Sequence, residues 1–132
     1  MKRVRVIPGL LLHRMGLVKS VRFKDYKYVG DPMNAVRIFN EKEVDELAII
    51  DIDATREKRP PDIERISAIV SEAFMPIAYG GGISRVAEAE KILLNGAEKV
   101  IINKAAIINP ALIREIASRF GSQSVVVSID YK

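Results

Sequence analysis

The sequence predicts an α/β protein built from repeated strand–helix units around a parallel sheet. Two observations carry this. Five short apolar runs recur along the chain with helical patterns between them, in the order β-α-β-α-β-α-β-α-β, an alternation that calls for right-handed crossovers between parallel strands. The runs are also near-continuous rather than alternating, as strands covered on both faces are. A third feature points to a site. Ile77-Ala78-Tyr79-Gly80-Gly81-Gly82-Ile83 runs a strand into three glycines, and a helical pattern opens straight after them at Ser84.

Each element has its own signal. The first strand is expected over Arg5 to Leu12, with Pro8-Gly9 inside it, and a long loop follows, roughly His13 to Gly30. That loop carries Lys19, Arg22, Lys24 and Lys27; a segment of this length is usually functional or mobile, the alternative being a solvated charged loop. Asp31-Pro32 sets an N-capping acid before a proline at the first helical position, and Asn109-Pro110 repeats the device. Further strands are expected over Leu47–Ile52, Pro76–Tyr79, Lys99–Ile102 and Val125–Ile129. Ile63, Ile66, Ile69 and Val70 form a helical stripe, as do Leu112, Ile113, Ile116, Ala117 and Phe120, the latter stopped by Gly121. Val86, Ala89 and Leu93 form a weaker one.

The repeat of roughly 25–40 residues is that of a (β/α)8 barrel, which normally needs about 250 residues. Residues 1–132 hold four βα units and a fifth strand as one domain. From periodicity alone this is either half a barrel or an open flavodoxin-like sheet.

Composition excludes several classes. With 48% hydrophobic and 29% charged residues the chain is globular. No apolar run approaches the roughly 20 residues of a membrane span, and the basic start Met1-Lys2-Arg3 leads into no signal-peptide pattern. The absence of cysteine rules out thiolate zinc sites and a cysteine nucleophile, and His13 is the only histidine. No metal and no cofactor is expected. The net charge of +4 is scattered among acids, which argues for small anionic ligands rather than nucleic acid. A cytoplasmic location is compatible with all of this.

In α/β barrels the chemistry sits at the carboxyl ends of the strands. There the sequence places His13, Asp51 and Asp53, Gly80 to Gly82, Asn103 and Lys104, and Asp130 followed by Lys132. Glycines between strand and helix turn bare N–H groups toward an anion, so Gly81 and Gly82, with Asn103 and Lys104 after the next strand, form a candidate phosphate cradle. Asp51 and Asp53, one residue apart, are expected on one side of a strand, and Asp51 and Asp130 are candidate proton-transfer groups. His13 reads as an ordinary loop residue. At the opposite ends stand Arg5, Glu46 and Lys99, which a closed sheet would gather at one mouth, if only as a salt-bridge ring.

The chain resembles HisF, the cyclase subunit of imidazole glycerol phosphate synthase, along essentially its whole length. The matching segments include Gly30-Asp31-Pro32, Asp45-Glu46-Leu47, Gly80-Gly81-Gly82-Ile83, Gly96-Ala97-Glu98-Lys99-Val100, Arg119-Phe120-Gly121-Ser122-Gln123 and Ser128-Ile129-Asp130. The resemblance implies the N-terminal half of a (β/α)8 TIM barrel. It also implies a glutaminase partner on the amino-terminal face and ammonia passing through the barrel to a substrate held by two phosphates. Carried over by position, it makes Gly82 and Asn103 phosphate ligands and Asp130 a catalytic aspartate. Arg5, Glu46 and Lys99 become three residues of an ammonia gate, and Lys19 belongs to a loop covering the substrate.

Two departures shape the expectation. The second catalytic aspartate of the family belongs where this chain has Leu11, and Lys104 stands in place of a usual threonine. The run Gly9-Leu10-Leu11-Leu12 looks more like HisF relatives of surface-polysaccharide pathways, which work with a glutaminase and a separate sugar amidotransferase. The other departure is length: the family's second half is not in these residues. The resulting expectation is a HisF-like protein supplying ammonia for sugar amidation. The alternatives are a histidine-pathway cyclase or a non-catalytic half-barrel. With open edges at the first and fifth strands, a chain ending at Lys132 is expected to pair as a two-fold homodimer.

Overall fold

A computed structural model describes residues 2–131. One seven-stranded sheet runs through the molecule in the order β3-β2-β1-β4-β5-β6-β7. The strands are β1 (Gly9–His13), β2 (Gly16–Val21), β3 (Lys24–Gly30), β4 (Leu47–Asp51), β5 (Ile77–Gly80), β6 (Lys99–Ile102) and β7 (Val125–Val127). β1, β4, β5, β6 and β7 pair in parallel, each joined to the next through helices, and β2 and β3 add an antiparallel hairpin beside β1. The helices are α1 (Pro32–Glu41), α2 (Ile63–Glu72), α3 (Val86–Leu94), α4 (Lys104–Ile108) and α5 (Ala111–Phe120). The five parallel strands and their crossovers make a partial (β/α) barrel.

The two faces of the sheet differ. Leu12, Ile49, Tyr79, Val100 and Ile102 point at the helices and are buried with Val36, Ile66, Ile69, Ile92, Leu112 and Ile116. The alternate row, Leu11, Ile50, Gly80, Ile101 and Val126, lies side by side in register on the other face. There burial is incomplete, and Val126 is 39% exposed.

The expected strands are found with shorter bounds. β1 begins at Gly9 rather than Arg5, because Pro8 has no N–H for the ladder; the Val6 and Pro8 carbonyls instead accept from Asp45 N and Ala48 N. β4 ends at Asp51, whose carboxylate turns the chain by accepting Asp53 N and Ala54 N. Asp51 and Asp53 are therefore not strand neighbours on one side. β7 stops at Val127.

The long loop is corrected outright. Residues 16–30 form the β2–β3 hairpin, whose two-residue turn puts Arg22 at φ 51° and Phe23 at φ 62°. Such turns favour Asn-Gly, so the usual signal is missing. The open edges are consequently β3 and β7, not the first strand. β3 carries Lys24, Asp25 and Lys27, whereas β7 is uncharged.

Asp31 caps α1 as expected, its carboxylate accepting Asn34 N at 3.1 Å. Asp62 caps α2 in the same way through Arg65 N. Asn109 does not cap by its side chain; only its carbonyl accepts, from Leu112 N. A short α4 separates it from β6, and the helix after the glycines opens at Val86 rather than Ser84. Among the described residues no helix is long and apolar enough to cross a membrane. Truncating Ile69, 1% exposed, to alanine is expected to cost about 2–5 kcal/mol. Asp31→Ala is expected to cost about 1 kcal/mol. Urea unfolding of the two variants reads both, and similar losses would mean that the helix-side core is not where stability resides.

Candidate functional site

The carboxyl ends of the parallel strands and the hairpin enclose a cleft of ≈ 480 Å³. Its floor is the open row Leu11, Ile50, Gly80 and Ile101, and its walls are the glycine turn, Asn103, Lys104, Asp130 and the hairpin residues Ser20, Phe23 and Tyr26. The structure thus brings Asp51, Gly81, Gly82, Asn103, Lys104 and Asp130 to one place.

The glycine turn is built by close approach. Gly81 has φ 121°, and a Cβ there would lie 2.4 Å from the Asp51 carbonyl oxygen. Gly82 has φ 72°, and a Cβ there would lie 2.7 Å from the Arg59 carbonyl oxygen and 2.8 Å from Ala54 Cβ. The loop from β4 to α2 therefore lies directly on the glycines, and neither position tolerates a side chain. Beyond them Glu88, buried in α3, accepts Ser84 N at 2.7 Å and Arg85 N at 3.2 Å and pins the turn from the other side.

Asp51 is 4% exposed, and its hydrogen bonds all fall on one oxygen. Its Oδ1 accepts two backbone N–H groups and Arg59 Nη2 at 3.0 Å; Arg59 Nη1 lies 2.9 Å from Oδ2, close enough to pair but out of line for a hydrogen bond. Hydrogen bonds to Asp51 and Glu57 hold the Arg59 guanidinium charge more firmly than usual, against the effect of burial. Burial, with the Asp51 charge nearby, pushes the Tyr79 phenol well above its ordinary value, and its hydroxyl has no hydrogen-bond partner among the described residues. Asp130 is exposed and accepts from Asn103 Nδ2 at 2.9 Å. The Asn103 side chain is thus committed to Asp130, and the backbone of Asn103 is what it offers an anion. Lys104 is exposed at the start of α4.

Lys19 is exposed on β2, opposite Lys27, and does not line the cleft. The hairpin alternates, so Ser20 takes the inward position that a loop would have left to the lysine. His13 is not a loop residue: it ends β1, with Nδ1 2.8 Å from Asp53 Oδ1 and its ring stacked on Tyr26 at 4.9 Å. Asp53 also accepts Arg14 N at 2.7 Å. Burial pushes the Asp53 carboxyl up, but the Arg14 N–H, His13 and Arg56 outweigh it and hold the group below its usual range. This junction ties the hairpin to the β4–α2 loop, and Arg65 adds a bond to the Arg14 carbonyl.

At the other end of the sheet Glu46 Oε1 takes Arg5 Nη1 at 2.6 Å and Lys99 Nζ at 3.3 Å. The three charges expected at one mouth are gathered on a single oxygen. Val4, Val6 and Phe74, all exposed, lie at the same end.

A partial barrel whose strand ends surround a glycine-rich cleft is the class that the fold and site define. The family model described as histidine biosynthesis protein matches residues 5–132, and the chain belongs to that family. The chain is 62% identical over 130 residues to a Pseudomonas aeruginosa protein named "Putative imidazole glycerol phosphate synthase subunit hisF2", covering 98% of this chain and 52% of that protein. A Vibrio vulnificus protein of the same printed description, hisF3, is 54% identical over 132 residues, all of this chain and 51% of its own length. "Imidazole glycerol phosphate synthase subunit HisF" of Wolinella succinogenes is 43% identical, over 97% of this chain and 50% of its own. The chain spans about half the length of the curated relatives it matches.

Because the Asp53 carboxyl is lowered on folding, its contribution is present above the ordinary carboxylate pKa of about 3.9 and fades as pH falls through the lowered folded value. Asp53→Asn is expected to cost about 1–3 kcal/mol at pH 7, with the gap from the unsubstituted protein narrowing below pH ~4. Urea midpoints from pH 7 to 3 check this; a gap that does not change with pH would contradict it.

Proposed function

We propose that this chain is part of a HisF-like protein that takes ammonia from a glutaminase and serves amidation of a surface-polysaccharide sugar in the cytoplasm. The observation that carries this reading is Leu11 on the cleft floor. Cyclisation by paired carboxylates needs a second proton-transfer group facing Asp130. The cleft offers Leu11, Ile50 and Ile101 instead, and Asp51 is locked to Arg59. One free carboxylate remains, suited to receiving or giving a single proton. A separate sugar amidotransferase would complete the transfer.

In this reading Gly81, Gly82, Asn103 and Lys104 hold a phosphate of a small-molecule substrate, Asp130 is the catalytic group, and Asp51 keeps the cradle in shape. Lys19 belongs to the segment roofing the site. The glutaminase docks at the face that exposes Val4, Val6 and Phe74, and Arg5, Glu46 and Lys99 gate the ammonia. The printed names of the relatives favour a second reading, a histidine-pathway cyclase subunit. The exposed β7 edge suits a third, a non-catalytic assembly module.

Losing a positioned proton-transfer group costs about 10²–10⁴ in rate. Ammonia-dependent formation of imidazole glycerol phosphate is therefore expected to be negligible, for this chain alone and for the chain joined to a relative's second half. Turnover at the level of a histidine-pathway cyclase would establish the second reading instead.

The β7 edge, with Val126, Val127 and Ile129 exposed beside it, is a pairing template. For a polypeptide made of these 132 residues alone, two copies are expected to meet there around a two-fold axis, since the β3 edge is charged. Sedimentation at low micromolar concentration reads the outcome. A lone monomeric species with cooperative thermal unfolding would show the sheet to be self-sufficient.

A further inference from the structure

A second concavity of ≈ 540 Å³ lies behind the glycine turn, between the β4–α2 loop, the start of α3 and α4. It is not a separate place. Thr55, Gly82, Ile83, Lys104 and Ala105 line both it and the cleft, so the two spaces share a wall at these residues. Its volume is that of a ligand site.

The charge on this groove is one-sided. Lys58, Arg59, Arg85 and Lys104 line it, and among the described residues Glu88 is its only carboxylate. Glu88 is spent: one oxygen accepts Ser84 N and Arg85 N, and the other faces the Arg85 guanidinium. Arg59 is likewise spent on Asp51 and Glu57. Lys58 and Lys104 remain, and neither forms an ion pair among the described residues. Glu88 takes the N–H groups of Ser84 and Arg85, just ahead of α3, so the side chains of Lys58 and Lys104 are the charged groups that the groove offers an anion. Two unneutralised cations on a concave, partly apolar wall concentrate anions.

We infer that the groove is a second phosphoryl subsite, and that the cleft and groove together take a ligand with two directly linked phosphoryl groups, a diphosphate ester. The inference rests on the reading that Gly81, Gly82 and Asn103 receive one phosphate. The second phosphoryl then passes Lys104 into the groove and meets Lys58. Ile83, Pro60 and Ile108 also line the groove and make one side of it apolar. A monophosphate can occupy one side of the wall only.

The test titrates the protein with inorganic phosphate and with inorganic pyrophosphate, followed by amide NMR and calorimetry. Phosphate should shift Gly81, Gly82 and Asn103. Pyrophosphate should shift those and also Lys58, Ser84 and Ala105, binding at least tenfold tighter. Pyrophosphate also carries more charge, so Lys58→Glu is compared with Lys42→Glu, an equal charge change on an exposed residue after α1. Lys58→Glu should weaken pyrophosphate about tenfold and phosphate less than twofold, and Lys42→Glu should do neither. Equal weakening by the two variants, or pyrophosphate shifts confined to the cleft, would overturn the second subsite and leave the phosphate cradle standing. No shift at Gly81, Gly82 or Asn103 with either ion would remove both.

Discussion

The carboxylate of Asp51 sits where strand, loop and cleft meet, and the geometry around it propagates in every direction. By accepting Asp53 N and Ala54 N it ends β4 and turns the chain. By pairing with Arg59 it folds the loop back over the sheet. That return brings the backbone of Asp51 and Arg59 against the next strand's exit, where only glycine fits at positions 81 and 82. A buried ion pair earns little net stability by itself, but removing one partner leaves an uncompensated charge in the interior. The pair is better regarded as fixing one arrangement of the loop than as a source of cohesion.

The hairpin is secured from the same loop by a second carboxylate. Asp53 holds His13 and the Arg14 N–H, His13 stacks on Tyr26, and the Tyr26 hydroxyl donates to the Phe23 carbonyl. The roof of the cleft therefore depends on residues two positions apart in sequence, Asp51 and Asp53, that serve unrelated walls. One shapes the anion cradle and the other places the aromatic side.

Much of this was legible in advance. Continuous apolar runs marked the parallel strands because both rows of each strand are apolar, although only the helix-side row is fully buried, and Asp31-Pro32 located α1 because capping is local chemistry. Arg5, Glu46 and Lys99 could be gathered from strand order alone. The hairpin was not legible because its turn uses Arg22-Phe23 in left-handed conformation, a choice that no local preference favours. Tyr26, Tyr28 and Val29, β-forming residues beside Val18 and Val21, were the available signal. The pairing of Asp53 with His13 was missed because it spans 40 residues. Asn109 failed as a cap because α4 changes the approach of the chain to α5, a tertiary matter. The groove behind Gly82 could not be foreseen, since it exists only once two loops and α4 are in place.

The two rims of the sheet are unlike, and this has a consequence for how material can be added to it. β3 ends the sheet with lysines and an aspartate, β7 with three valines. A sheet with two receptive rims can be extended without limit, copy upon copy, which is the geometry of a fibre. With one rim carrying charge, a second copy joined β7 to β7 leaves two charged β3 rims facing outward, so that growth terminates after a single step. The hairpin thus gives the fold a direction: at the β3 rim charge disfavours pairing, and the β7 rim is the one open to extension.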